Sequence, residues 1–450
     1  MDVLSHVVTI IAFILALLCG WFAITSLVEK ERRAAILAAL FALLFLGFAV
    51  AWYYYSFQSK EILSLVLTSL LGLALILLSF PYRLAQHQPR YRSVRIDERN
   101  IPFSRYFIHP DRKEEYYRRN PNNKERDEQT NRLPGLLSEK SRFYHPIAFA
   151  SADSTEKLLD KFKFENDGNV ASVKTDVNPR VLQEYIRNWS IRMNSTGTGF
   201  CLLRPEHFYS IRGRHHYYGS PVESSHTHAI AFIVEMDRGF TDTAPQAPVI
   251  MESFNQYLNA GLIAIQVASF LRSLGWEARA HIDSNYEVIC PLVARDAGLG
   301  ELGRMGLLMS GKTGPRCRIS VVTTTFPFPD KPVKTSPNMV FFCDICKKCA
   351  QNCPAAAIPN TPYSPEAATS GWQIDGDSCF AYWCKAGTDC ARCMAVCPFS
   401  HDDSFLHRMV RKGISNSALF ARFALRMDDL FYGKRPATKP LPKWMNQTII

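Results

Sequence analysis

The chain has 450 residues, enough for two or three domains. Lys and Arg exceed Asp and Glu by 52 to 41, a formal charge of +11. The excess is scattered and nothing resembles a nucleic-acid module, so no nucleic-acid partner is expected and much of it reads as membrane-proximal. Of thirteen cysteines, nine fall between Cys343 and Cys397, which implies a reducing or oxygen-poor setting, at least during assembly.

Residues 1–80 are expected to form a transmembrane anchor of three helices. Val7 to Leu27, Ala34 to Tyr55 and Ile62 to Phe80 are nearly uncharged runs of Leu, Ile, Ala and Phe, each long enough to span a hydrocarbon core. Trp52, Tyr53, Tyr54 and Tyr55 read as an aromatic belt at one end of the second span. The first loop carries Lys30, Arg32 and Arg33, the second only Lys60; Arg83, Arg90, Arg92, Arg95 and Arg99 follow the third span. This bias puts the N-terminus outside and everything after residue 80 in the cytoplasm, as a multi-pass protein of the cell inner membrane. Arg32-Arg33 before an apolar run faintly suggests a twin-arginine export signal, but it follows a full span and lacks a clear cleavage site.

Residues 81–142 are rich in Arg, Asn, Pro and Glu and are expected as a polar linker. A catalytic domain is expected over 143–335. Within it, Val170 to Arg192 reads as a helix, Ala229 to Met236 as an apolar strand, and Ser253 to Leu274 as a helix ended by Gly275. Tyr257, Gly261, Ala264 and Ala268 form a stripe of one phenol followed by small residues, suited to close approach by a helix or a flat cofactor, with plain packing the commoner use. Trp276 to Ile282 reads as a short strand, Pro291 to Ala297 as a helix, and Arg318 to Thr325 as a strand. Gly298, Gly300 and Gly303 match G-x-G-x-x-G, but a helix-like segment precedes them and a strand-like one follows, the reverse of a dinucleotide site. They are expected to let the backbone approach something bulky.

Residues 336–400 hold the strongest signal. Cys343, Cys346, Cys349 and Cys353-Pro354 have the C-x2-C-x2-C-x3-C-P spacing of a bacterial ferredoxin, and Cys390, Cys393 and Cys397-Pro398 repeat its second half. In that pattern the Cys-Pro ligand serves the other cluster. One [4Fe–4S] cluster then takes Cys343, Cys346, Cys349 and Cys397; the second takes Cys353, Cys390, Cys393 and either Cys379 or Cys384. Structural zinc has no reason to produce two Cys-Pro endings, and disulfides need no such regularity. The remaining residues, 401–450, are expected as a C-terminal tail packing on the catalytic domain.

From about 195 to 435 the chain resembles the reductive dehalogenases, corrinoid and iron–sulfur enzymes that remove halogen from organic compounds. The resemblance rests on Ala297-Gly-Leu-Gly-Glu-Leu-Gly-Arg-Met-Gly-Leu-Leu308, Gly314-Pro-Arg316-Cys-Arg318-Ile319, the ferredoxin motif, Cys379-Phe-Ala-Tyr-Trp383 and Cys390-Ala-Arg-Cys-Met-Ala-Val-Cys-Pro-Phe399, in that order. Epoxyqueuosine reductase shares the glycine segment and the cluster pattern more loosely. The resemblance implies an α/β corrinoid-binding domain, nitroreductase-like, joined to a ferredoxin-like module with two [4Fe–4S] clusters. It makes Cys379 the fourth ligand of the second cluster and Cys384 a spare, and it puts Gly298, Gly300, Gly303 and Gly306 on the side of the cobalamin or other corrinoid. It also implies a cobalt with no protein histidine beneath it, in keeping with the lack of an Asp-x-His-x-x-Gly motif.

Further, the resemblance places a tyrosine acid at Tyr257, a helper amide at Asn285 and a basic partner at Arg318. A guanidinium near a phenol favours phenolate and is expected to lower its pKa. The implied partners are a halogenated organic substrate, the membrane, and an external electron donor: a ferredoxin, a flavoprotein or a quinol-linked protein. The fused anchor departs from respiratory members, which typically carry a cleaved twin-arginine signal and use a separate anchor. Two other functions compete: an epoxyqueuosine-type reduction, against which the short tail with Met427-Asp-Asp-Leu-Phe-Tyr-Gly433 speaks, and a membrane-bound iron–sulfur electron-transfer protein without substrate.

Overall fold

The computed structural model describes residues 3–54, 59–79, 95–214, 217–283, 285–329, 336–367 and 370–445. Tyr55 and Phe80 of the expected spans, and Arg83, Arg90 and Arg92 of the basic run, lie outside them. Three helices open the chain, α1 (Val3–Val28), α2 (Arg32–Tyr54) and α3 (Lys60–Ser79), and each is long and apolar enough to cross a membrane. Three short helices follow, α4 (Pro102–Tyr106), α5 (Pro110–Arg119) and α6 (Pro121–Asn131), each with proline in its first turn, where a missing N–H costs nothing. Then come α7 (Pro146–Phe162), α8 (Pro179–Arg192), β1 (Gly197–Leu202), β2 (His228–Glu235), α9 (Arg238–Thr241), α10 (Pro248–Ser273), β3 (Ala278–His281), α11 (Cys290–Asp296), β4 (Gly300–Leu302), β5 (Leu308–Ser310) and β6 (Cys317–Thr324). The chain continues through α12 (Pro337–Cys346), α13 (Lys348–Gln351), α14 (Gly376–Ala386), α15 (Arg392–Ala395), α16 (Phe405–Asn416) and α17 (Ala418–Phe431).

These elements form two compact units. The first holds Met1–Gln86, Pro337–Cys346 and Asp402–Pro436. Alanines are buried where α1 meets α2, among them Ala12, Ala16 and Ala23 on α1 and Ala34, Ala35 and Ala38 on α2. Small side chains let two apolar helices approach closely where lipid offers no hydrophobic drive between them. Helix α12 packs among α16 and α17: the Asn338 amide donates to the Ser415 carbonyl at 3.3 Å, and Arg422 lies 4.9 Å over the Phe341 ring. The tail is therefore divided. Residues 402–436 belong with the apolar helices, whereas 437–445 pack on the catalytic part, with Met445 in a core cluster beside Ala148 and Ile250.

The second unit holds His87–Ser336, Lys347–His401 and Ala437–Ile450. Its centre is a four-stranded sheet in the order β1-β2-β6-β3, antiparallel at every pairing. Helices and strands mix as expected, but no parallel pair occurs among the described residues, so this is a layered sheet without βαβ crossovers. Phe200, Ile230, Val322 and Ala280 line up across it and meet Ala264 and Ala268 of α10 in the main core. Ala229, Ala231 and Ile233 point to the other face, toward Val293 and Ala294 of α11. Burial on both faces explains why β2 reads as an unbroken apolar run. The small residues of α10 take the packing use: a Cβ at Gly261 would sit 3.5 Å from Ile282.

Residues 95–142 are not slack. Arg105, 3 % exposed, donates to Asp127 of α6 at 3.0 Å and pairs with Asp377 of α14. The backbone N–H groups of Gly135, Leu137, Arg142 and Phe143 donate to carbonyls at the C-terminal end of α14. The segment expected as a linker thus clasps the helix that carries Cys379 and Cys384.

Candidate active site

Helix α10 places Ser253 and Tyr257 four residues apart on one face, and β6 brings Arg318 across them. The Arg318 guanidinium lies 4.6 Å over the Tyr257 ring, and its Nη2 donates to Ser253 Oγ at 2.6 Å and to Asp389 Oδ2 at 2.7 Å. Ser253 Oγ donates to the same carboxylate oxygen. Among the described residues nothing hydrogen-bonds the Tyr257 hydroxyl, while Arg318 Nε and Asp389 Oδ1 are buried without a partner.

Burial pushes the Tyr257 phenol up to about 12; Arg318 pulls it down, and Asp283 and Asp389 push it up again. The expected lowering by Arg318 is present but outweighed, because the ring is desolvated and two carboxylates oppose the guanidinium. A second basic group faces the same place. Arg214 lies 4.6 Å over the Tyr286 ring, pairs with Glu98 at 2.9 Å and also lowers the Tyr257 pKa.

Asn285 is occupied elsewhere. Its Oδ1 accepts from Arg279 Nη2 at 2.8 Å and its Nδ2 donates to the Lys163 carbonyl at 2.6 Å. Among the described contacts none joins it to Tyr257 or Arg318. Two residues earlier, Asp283 acts electrostatically on Tyr257, Arg318, Arg214 and Tyr286. Asn285 braces the turn; Asp283 is the residue of that turn that the site feels. Asp283, Asp389, Ser253 and Arg214 were not legible as site residues, since each is a common polar type in no motif. Only Asp389, directly before Cys390, carried a positional hint.

The glycine segment closes on its own chain. Gly298 and Gly306 have φ of +81° and +73°, left-handed values that favour glycine. A Cβ at Gly300 would sit 2.1 Å from the Met309 carbonyl of the paired strand, and the Gly303 and Leu307 backbones bond across the turn at 3.0 Å. A helix precedes and a strand follows, as read from the sequence, but Gly300 itself opens a first strand and the segment is a hairpin; the bulky neighbours are this chain's own backbone and Ile374. Gly314 does similar work: a Cβ there would meet the Phe399 carbonyl at 2.5 Å. Beside it Arg316, fully buried, donates Nε to the Ser400 carbonyl at 2.8 Å and pairs with Glu235 at 3.1 Å.

Four thiols of the second unit act on one another. Burial, then the neighbouring thiols, raises the pKa of Cys379, Cys390 and Cys393, and Cys353 is among the neighbours of all three. Cys384, fully buried, is raised by burial alone. The two cysteines of α14 are five residues apart, about 140° around the helix, so they cannot face the same neighbours. A four-thiol donor set suits an iron–sulfur cluster. Cys349 also acts on Cys393, and Cys397 lies in the same unit, while Cys343 and Cys346 end α12 in the first.

The chain matches no protein-family model. It is 33% identical over 223 residues to a tetrachloroethene reductive dehalogenase of Desulfitobacterium hafniense, covering 47% of this chain and 39% of that one. It is 32% identical over 211 residues to the tetrachloroethene reductive dehalogenase of Sulfurospirillum multivorans, covering 45% and 41%. The chain thus spans about two-fifths of the length of these curated relatives. Among solved structures, a catabolic reductive dehalogenase in complex with 3-bromo-4-hydroxybenzoic acid aligns with a TM-score of 0.58 at 21% identity, covering 78% of this chain and 48% of that one. A reductive dehalogenase described for B12-dependent dehalogenation aligns at 0.56 and 22% identity, covering 78% and 51%. The expected resemblance is found in sequence and in fold alike: over part of their length, this chain is similar to the reductive dehalogenases.

Proposed function

We propose that the protein is a membrane-anchored, corrinoid-dependent reductive dehalogenase that reduces carbon–halogen bonds of organic compounds. One observation carries this reading beyond the comparisons. Tyr257, the candidate acid, sits under Arg318, and Arg318 is held by Asp389, the residue before Cys390. A proton donor and a thiol group suited to electron transfer are joined through a single ion pair.

Two [4Fe–4S] clusters, on Cys343, Cys346, Cys349 and Cys397 and on Cys353, Cys379, Cys390 and Cys393, would relay electrons from an external donor. A corrinoid, when bound, supplies the chemistry at the carbon–halogen bond. The hairpin containing Gly298, Gly300, Gly303 and Gly306 is the backbone proposed on its side. Tyr257 holds the proton that replaces halide on carbon, and its raised pKa keeps that proton in place until carbanion character develops. Arg318 stabilises the phenolate left behind, Asp389 and Ser253 fix Arg318, and Asp283 and Arg214 set the charge facing the substrate. The three apolar helices hold this unit at the inner membrane, on the cytoplasmic face.

The test is anaerobic purification with corrinoid and iron counted on the same sample. Reduced-viologen oxidation is then assayed with brominated and chlorinated compounds, tetrachloroethene and 3-bromo-4-hydroxybenzoic acid among them. Corrinoid together with halide release is expected. Full iron without corrinoid, and no halide from any compound, would instead identify an electron-transfer protein.

A further inference from the structure

Helices α16 and α17 form a hairpin whose outward face is apolar. Phe405, Met409 and Val410 of α16 and Leu419 and Phe423 of α17 are 52, 54, 38, 39 and 44 % exposed. On α16 these three positions fall within a sector of about 140°. Exposed basic residues flank the stripe: Arg408 and Lys412 on α16, Arg422 and Arg426 on α17. Residues 402–436 carry seven basic side chains (Arg408, Arg411, Lys412, Arg422, Arg426, Lys434, Arg435) against four acidic ones (Asp402, Asp403, Asp428, Asp429).

What lies over this face follows from what the hairpin touches inside its own unit. Phe405 stacks on Trp21 at 5.9 Å, and Phe431 meets Phe22 edge-on at 5.1 Å and Phe41 at 6.1 Å. Glu29, just past the end of α1, lies 3.7 Å from His407. Phe22 is six residues from the end of α1, about 9 Å along its axis. The hairpin is therefore fastened near the ends of α1 and α2 that meet at the first loop, about two turns deep on α1 and about two and a half on α2. Lys30, Arg32 and Arg33 stand at that same end. Interfacial amphipathic helices carry their apolar face about 5–10 Å into the headgroup and acyl boundary, with basic residues beside anionic lipid.

We propose that α16 and α17 form an interfacial membrane element, its apolar stripe in the leaflet beside the first loop and its basic residues on anionic headgroups. This rests on α1–α3 spanning the bilayer but adds a contact that spanning does not require. A partner protein covering the stripe is the competing outcome.

The test uses the full chain in nanodiscs of equal phosphatidylglycerol and phosphatidylcholine, with p-benzoylphenylalanine placed singly at Met409, Phe423 or Leu44. Leu44, 66 % exposed on α2, reports spanning alone. Lipid adducts are expected at all three positions, with the ratio of phosphatidylglycerol to phosphatidylcholine adducts at Met409 and Phe423 at least about fivefold above that at Leu44, what one surface Lys or Arg contributes. Adducts at Leu44 without lipid at Met409 and Phe423, or without enrichment there, would overturn the proposal while the spanning reading stands. No lipid at Leu44 would remove both. If a substituted chain does not fold, hydrogen exchange of the unsubstituted chain decides: α16 and α17 should exchange more slowly in phosphatidylglycerol-containing than in pure phosphatidylcholine discs, and equal rates overturn it.

Discussion

Arg318 Nη2 lies 2.7 Å from Asp389 Oδ2, with side chains only 8 and 12 % exposed. Strand β6 and the turn before Cys390 are thus locked together by a nearly dry ion pair that also supports the Tyr257 ring. Removing one partner of such a pair leaves a buried charge and costs about 3–5 kcal/mol, whereas an apolar replacement of both can be neutral. Arg318→Met and Asp389→Leu should each lower the melting temperature sharply, and the double variant should recover much of the loss. Thermal unfolding of the four proteins checks this; additive losses in the double variant would count against a coupled pair.

Tyr257→Phe keeps the ring beneath Arg318 and deletes the hydroxyl. It should retain corrinoid and iron and lose on the order of a hundredfold or more in halide release, the loss expected for a missing general acid. Near-normal turnover with full cofactor content would remove Tyr257 from the mechanism.

A phenol pushed up to about 12 stays protonated throughout the ordinary assay range. The alkaline limb of kcat/KM between about pH 7 and pH 10 should therefore carry no step from Tyr257. The sign for stability is the reverse of a carboxylate in a salt bridge. The raised pKa contributes stability that is complete below the unfolded value near 10 and is lost as pH rises toward 12. Parallel pH profiles of rate and unfolding for wild type and Tyr257→Phe separate the two effects; a rate step near pH 8 missing from the variant would contradict the shift.

Cys384→Ala should leave iron content unchanged, and Cys379→Ala should remove about half of it, because one of two [4Fe–4S] clusters loses a ligand. Cys397→Ala should disturb the cluster assigned to Cys343, Cys346 and Cys349. Iron analysis with electron paramagnetic resonance reads all three. Half the iron lost on Cys384→Ala, with Cys379→Ala harmless, would reverse the assignment.

A reporter joined after residue 100 should behave as cytoplasmic, given Lys30, Arg32 and Arg33 in the first loop against Lys60 alone in the second. Alkaline phosphatase activity from the fusion, which needs export, would overturn the orientation.

Periodicity made the long elements legible. The apolar run of β2 and the helix holding Tyr257 stand close to where they were read, although α10 begins at Pro248, five residues before the expected Ser253. β1 escaped notice because Gly197-Thr-Gly-Phe-Cys-Leu has two glycines in a six-residue strand. Gly199 is there because a Cβ would sit 2.2 Å from the Ala297 carbonyl, a long-range fact with no local trace. The helices of 95–142 escaped for the opposite reason: their surface is charged, and what orders them is Arg105 reaching Asp377, 272 residues away. In the site, Tyr257 and Arg318 came through resemblance and stand together, whereas Asn285 bonds Arg279 and Lys163, and Asp283 of the same turn, which lies in no motif, acts electrostatically on Tyr257.

The seat of Gly314 against Phe399, with Arg316 beside it, bears on how the protein matures. That seat exists only when the turn after Cys397 is folded, and Arg316 has carbonyls from both sides of it. A chain that has not gathered its thiols would leave Arg318 without Asp389 and Arg316 without the Ser400 carbonyl, the first a buried charge short of its counter-ion. Metal supply would then govern how much protein survives rather than how active each molecule is: iron-starved cells should contain fewer molecules, degraded early, instead of a standing pool of inert ones.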